Sequence, residues 1–218
     1  MISLSLVEKE CFRQIFEAIG TTNQYFVEIG YDGLFDREQI PYWHGIIIDR
    51  NIDHPSFQFA GKRVKTVQEF VTAENVNSIL TENQVPSETD FFGIDIDGND
   101  YHILRALSAT VPRVIITEYN ASFGPDKSIT IKYNPNFERG GFYHGASLTA
   151  FTKLLNARDY ALVATDYYGI NAFFVKRSEI LNNLKELNVA EAWRTHGQRN
   201  GSWQEQFNVL KDMEFEEV

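Results

Sequence analysis

The chain has a single cysteine, Cys11, among its 218 residues, so it forms no disulfide within itself and offers no thiolate cage for zinc. Cationic side chains are also scarce: 20 Lys and Arg stand against 30 Asp and Glu, a formal net charge of −10. A surface of that sign does not gather nucleic acid or anionic lipid by counterion release, so neither is an expected partner. No apolar run reaches the ~18 residues that a membrane-spanning helix requires. Residues 1–20 interrupt their apolar positions with Glu8, Lys9, Glu10, Arg13 and Glu17, unlike the unbroken apolar centre of a signal peptide. A reducing cytoplasm is the expected location. Two phosphate-binding signatures are missing as well, since the sequence contains neither a glycine-rich turn closed by Gly-Lys-Ser/Thr nor a G-x-G-x-x-G.

Hydrophobic residues make up 43% and charged residues 23% of the chain, a balance that predicts a folded chain with one core. Its length suits one α/β domain over residues 1–218, with a helix in 1–20 and a helical extension over 178–218. Leu4, Val7, Cys11, Ile15 and Ile19 recur at three- and four-residue intervals, which predicts an amphipathic helix ending at Gly20. Seven short runs rich in β-branched and aromatic residues predict strands at 25–29, 45–49, 63–67, 91–96, 113–117, 161–165 and 171–175. Helix-compatible segments at 73–83, 99–109 and 147–158 separate most of the later ones. The expected class is therefore α/β and Rossmann-like: a mostly parallel seven-stranded sheet with helices on both faces. Only five residues part the last two runs, too few for a crossover helix, so these should close the sheet as an antiparallel hairpin. The long aromatic segment 119–146 reads as an active-site loop.

The sharpest local feature is Glu28-Ile29-Gly30-Tyr31-Asp32-Gly33, at the end of the first expected strand. Small residues there let a ligand approach the backbone, and the Glu28 carboxylate could hold an ammonium or a hydroxyl. Asp49 closes the second strand, where an acid accepts hydrogen bonds from ribose hydroxyls. Alone, two glycines after a strand equally mark a tight turn. The two acids in this order favour S-adenosylmethionine, which carries both an amino group and a ribose. A nicotinamide or flavin enzyme would place a glycine where Glu28 stands, and an acid there would repel its pyrophosphate.

Three longer stretches extend the pattern: Trp43-His44-Gly45-Ile46-Ile47-Ile48-Asp49, Phe92-Gly93-Ile94-Asp95-Ile96-Asp97-Gly98-Asn99-Asp100-Tyr101, and Val114-Ile115-Ile116-Thr117-Glu118-Tyr119-Asn120. Together with Phe26-Val27-Glu28-Ile29-Gly30, they make residues 20–177 resemble the FkbM-type and related class I methyltransferases. The resemblance implies the class I methyltransferase fold and O-methylation of a hydroxyl on a sugar, polyketide or other small molecule. The cofactor would lie among Glu28, Gly30, Asp32, Gly33, Asp49, Arg50 and Asp95. The segment from Leu34 to Tyr42 departs from the family pattern in being short and in containing Phe35, Asp36 and Pro41.

Ligands of open α/β sheets bind beyond the carboxyl ends of the strands, which brings forward Asp95, Asp97 and Asn99 after the fourth run and Glu118, Tyr119 and Asn120 after the fifth. Asp97, Glu118 and Asn120 offer the oxygen ligands that Mg2+ prefers, a pattern similar to the site of metal-dependent O-methyltransferases. The competing structural role for these residues is capping of a helix N-terminus. Asp97 and His144 are the candidate catalytic residues, His144 as general base because histidine titrates near neutral pH; His102 and His54 are less favourably placed. Glu118, Asn120 and Tyr143 would bind a small-molecule or saccharide acceptor. Phe123, Tyr133, Phe137, Phe142 and Tyr143 would either shape its pocket or anchor the loop. Two alternatives stay open, a non-catalytic S-adenosylmethionine-binding or scaffold protein of the same fold and a nucleotide-dependent oxidoreductase; so does a homo-oligomer.

Overall fold

The computed structural model describes residues 6–30, 42–52, 63–180 and 183–218. Helix α1 (Glu8–Ile19) buries Cys11 and Ile15 of the expected stripe together with Phe12 and Phe16 beside them, while Val7 precedes the helix and is exposed. The helix stops at Gly20, whose φ of 66° lies in the left-handed region. The strands that follow are β1 (Tyr25–Ile29), β2 (His44–Asp49) and β3 (Val64–Gln68), and then helix α2 (Val76–Glu82) leads to β4 (Glu88–Ile94). Helix α3 (Asp100–Ala106) and β5 (Val111–Glu118) come next, followed by β6 (Ile129–Ile131), α4 (Leu148–Asn156), β7 (Tyr160–Thr165) and β8 (Asn171–Lys176). The C-terminal segment adds α5 (Val189–Ala192), α6 (Trp203–Leu210) and β9 (Phe215–Glu217).

Seven strands form one sheet in the order β3-β2-β1-β4-β5-β8-β7. All neighbours from β3 to β5 pair in parallel, whereas β8 runs antiparallel to both β5 and β7. The sheet is thus mostly parallel and ends in an antiparallel hairpin, as the spacing of the last two runs predicts. Alternation along each strand divides the core in two. Val27, Ile29, Ile46, Ile48 and Phe92 pack on the face covered by α2, α3 and α4. Phe26, Ile47, Phe91, Val114 and Phe173 pack on the face covered by α1. Among the described residues no helix is long and apolar enough to cross a membrane.

Two strands escape the sequence reading. β6 and β9 pair antiparallel with each other, so the end of the expected helical extension runs as a strand. The cause is aromatic packing and charge pairing. The Phe215 ring lies 5.3 Å from Phe123 and 5.5 Å from Tyr143, and Arg105 holds Glu216 at 2.9 Å. This small sheet ties the C-terminal segment to the loop between β5 and α4.

Candidate active site

The order of strand addition reverses between β1 and β4, where an open parallel sheet forms its ligand crevice. A cleft of about 450 Å³ opens there, lined by Gly30, Asp49, Arg50, Asp95 and Asp97 on the strand ends and facing Phe70, Phe137 and Arg139. Gly30 is required by the backbone. Its φ is 76°, and a Cβ added there would stand 1.7 Å from the Asp95 carbonyl oxygen. The ends of β1 and β4 therefore touch main chain to main chain, with Asp95 N–H donating to the Ile29 carbonyl.

Of the residues expected at the cofactor, Gly30, Asp49, Arg50 and Asp95 line this cleft. Glu28 is buried and belongs to an adjoining recess on the α1 side, which it shares with Gly30, Gly93, Asp95 and Asn171. Asp32 and Gly33 lie outside the described residues, as does His54.

Past the cleft, three side chains converge from separate elements. Asp97 follows β4, Glu118 ends β5, and His144 comes from the loop before α4; one ligand atom from each lies within 4.8 Å of the others. Asp97 has a positive φ of 57° and does not cap α3. Asp100 occupies the turn instead, accepting from Ile96 N–H and Gly98 N–H at 2.9 Å each. Asp97 pairs with Arg139, whose guanidinium also stands 4.0 Å from Glu118. Glu118 is buried, and that burial, together with Asp95 and Asp100, pushes its pKa up to about 9 against the pull of Arg199. Carboxyl groups outnumber cations here.

Asn120, expected beside Asp97 and Glu118 as a ligand, stands behind them instead. Its amide nitrogen donates to the Phe142 and His144 carbonyls at 2.7 and 2.9 Å, and its oxygen accepts from Ser122 N–H and from Arg199. Both amide atoms are thereby occupied in holding the His144 loop, and Gly145 N–H fastens the same loop to the Gly98 carbonyl at 3.1 Å. His144 is 1% exposed. Burial, then the charges of Arg139, Arg199 and His196, hold its pKa down to about 2, so the ring is neutral at pH 7.

Tyr143 is half-buried in the aromatic cluster that anchors the loop, its hydroxyl donating to the Glu214 carbonyl. Of the other loop aromatics, Phe137 lies over Gly98 and lines the cleft, while Phe123 packs on Phe207 and Phe215. His102 is buried on α3 with Nε2 2.9 Å from the Ile131 carbonyl, away from this cluster. The sequence reading missed Arg139 and Arg199. Arg139 lies in the 119–146 loop and Arg199 in the C-terminal extension, and only the folded chain brings them to the acids.

Residues 17–160 match the family model of the methyltransferase FkbM domain. No curated protein matches the chain. Among solved structures it is similar to the MycE methyltransferase from the mycinamycin biosynthetic pathway, determined in complex with Mg and SAH, at 17% identity and a TM-score of 0.49 over 76% of this chain and 48% of that one. It is also similar to a putative hemolysin from Streptococcus thermophilus, at 12% identity and a TM-score of 0.44 over 92% of this chain and 74% of that one. An O-methyltransferase family protein from Burkholderia thailandensis gives 10% identity and a TM-score of 0.40 over 78% of this chain and 59% of that one. The chain spans about half the length of MycE. With TM-scores below 0.5, none of the three bears on what this chain does.

Proposed function

The chain belongs to the FkbM methyltransferase family, and from that premise we propose that it is an S-adenosylmethionine-dependent O-methyltransferase acting on a hydroxyl of a small molecule or saccharide. The observation that carries this reading is the cleft at the β1–β4 switch point, bounded by Gly30, Asp49 and Asp95 and continuous with Asp97. Asp49, at the end of β2, accepts from the ribose hydroxyls, and Gly30 lets the ligand lie against bare backbone. Bound S-adenosylmethionine supplies an electrophilic methyl group on a sulfonium.

Asp97 lines the cleft and faces Glu118, so a hydroxyl entering from the Glu118 side meets it next to the cofactor. Alignment and removal of one proton are then the residues' main tasks, and the Asp97 carboxylate receives that proton. The carboxylates also fit a divalent cation such as Mg2+: they are hard oxygen donors, and the local excess of acid that raises Glu118 is what such a charge relieves. Held by Asp97 and Glu118, the cation would lower the pKa of the acceptor hydroxyl and orient it.

Calorimetric titration with S-adenosylmethionine tests the cofactor site. Saturable binding is expected for the wild type and at least a tenfold weaker Kd for Asp49→Ala, about 1.4 kcal/mol. Acceptor-dependent release of S-adenosylhomocysteine from a panel of hydroxylated compounds then tests transfer. Absence of binding would remove the reading, and binding without release on any acceptor would leave a binding protein of the same fold.

A further inference from the structure

Arg199, from the turn before α6, reaches the rear of the site and joins a chain of hydrogen bonds whose directions are all fixed. Gln206 donates its amide nitrogen to the Asn200 and Gly201 carbonyls at 3.2 and 3.1 Å. Its oxygen must therefore face Ser122, whose hydroxyl donates to it at 2.6 Å. That leaves the Ser122 oxygen to accept from Arg199 Nη1 at 2.7 Å. The same Nη1 donates to Asn120 Oδ1 at 2.9 Å, an orientation set by the two carbonyls on the other side of that amide.

The guanidinium is thereby placed with Nη2 2.9 Å from His144 Nε2. Arginine has donors only, so Nε2 must present its lone pair. In a neutral imidazole the proton then sits on Nδ1, because the hydrogen bond made by one ring nitrogen decides the state of the other. Nδ1 is the atom that faces Glu118, at 3.8 Å. A protonated Nδ1 has no lone pair to offer a cation.

We propose that Arg199 is a positioning residue that fixes His144 as the Nδ1–H tautomer, making the ring a donor toward Glu118 and withholding it from the ligands of any bound cation. A cation is then held by carboxylates and water, the set suited to Mg2+ and not to the imidazole-seeking transition metals. The C-terminal segment, which supplies Arg199 and Gln206, thus sets the chemistry of a site built on the strand ends.

The assignment rests on the reading of this cleft as the active site, but its test needs neither cofactor nor turnover, so the two fail separately. Long-range 1H–15N correlation spectra of the full chain at pH 7, with His144→Gln identifying the resonances, report which imidazole nitrogen carries the proton. The wild type is expected to show His144 as Nδ1–H with a non-exchanging pattern. Arg199→Met, which keeps bulk but loses the donors, is expected to move both nitrogen shifts toward a mixture of tautomers. An Nε2–H pattern in the wild type overturns the proposal even if the variant does not fold, and an unchanged Nδ1–H pattern in a folded Arg199→Met overturns the role of Arg199.

Discussion

Two buried acid sites lie at opposite ends of the same strand pair, β4 and β5, and they are compensated differently. At the N-terminal end Asp90 is fully buried, yet Arg113 pairs with it at 2.7 Å and Thr22 and Gln24 donate three further hydrogen bonds from main chain and hydroxyl. Burial alone would raise the Asp90 pKa; these donors outweigh it and hold the group below its ordinary value. Arg113 also donates to Glu179 and to the Ile19 and Gly20 carbonyls, so its donors are fully engaged and this corner is closed by hydrogen bonds. At the C-terminal end burial wins, and Glu118 is raised by the acids around it. The closed corner fastens α1 to the sheet, while the open one is left with charge for a ligand to complete. Parallel sheets bind ligands at that second end, and the contrast shows why the same acid chemistry stabilises at one end and is available for function at the other.

Breaking the closed corner should have the largest effect. Arg113→Met strands Asp90 in the interior, and removing one partner of a buried pair costs about 3–5 kcal/mol, read as a lower midpoint in urea denaturation. The deficit has a pH signature. Because Asp90 is depressed in the folded protein, its contribution is present above the unfolded value of 3.8 and lost as pH falls through the folded one. The gap between wild type and variant should therefore narrow in acid, and a gap that widens below pH ~4 would show that Asp90 is not what Arg113 stabilises.

Gly30→Ala perturbs the open end through its backbone. The new methyl would meet the Asp95 carbonyl at 1.7 Å, an overlap that the two strand ends cannot keep, and it adds the cost of an L-residue held at positive φ, about 1–3 kcal/mol by itself. Separation of β1 from β4 relieves the overlap at the expense of the cleft. Loss of S-adenosylmethionine affinity with a smaller drop in Tm than for Arg113→Met is the expected outcome; unchanged affinity would place the cofactor elsewhere.

The frame of the molecule was legible because the strands of the large sheet, apart from the edge strand β3, are buried on both faces. Runs such as Ile46–Ile48 and Val114–Ile116 are apolar throughout, and the intervals between them are long enough for crossovers or too short for one. β6 and β9 were not legible, since three-residue strands carry no period and form only because Phe215 finds Phe123 and Tyr143. At the site, Gly30, Asp49, Asp95, Asp97 and Glu118 could be placed from their positions at strand ends. The counter-charges could not. Arg139 and Arg199 lie about 20 and 80 residues along the chain from Glu118, and only loop closure brings them to it. Asn120 was read by residue type as a possible ligand, but its amide is taken by carbonyls of a loop whose path no local pattern reveals.

The finest test of the contrast is the pH slope that Glu118 imposes. An acid raised in the folded state keeps a proton that the unfolded chain has already released, so between the ordinary value of 4.5 and about 9 the folded protein binds more protons and its stability falls as pH rises. Glu118→Gln keeps a donor toward Asp95 but cannot ionise. The two proteins should have similar stability near pH 4 and diverge above it, with the variant gaining at least ~1.4 kcal/mol, the free energy of a tenfold difference in proton affinity between the folded and unfolded chain. Mg2+ sharpens the experiment: a cation bound to ionised Glu118 favours its charged form, which should flatten the wild-type slope and leave the Gln variant unmoved. Parallel curves without Mg2+ would mean that Arg139 and Arg199 already compensate the open end as fully as Arg113 does the closed one.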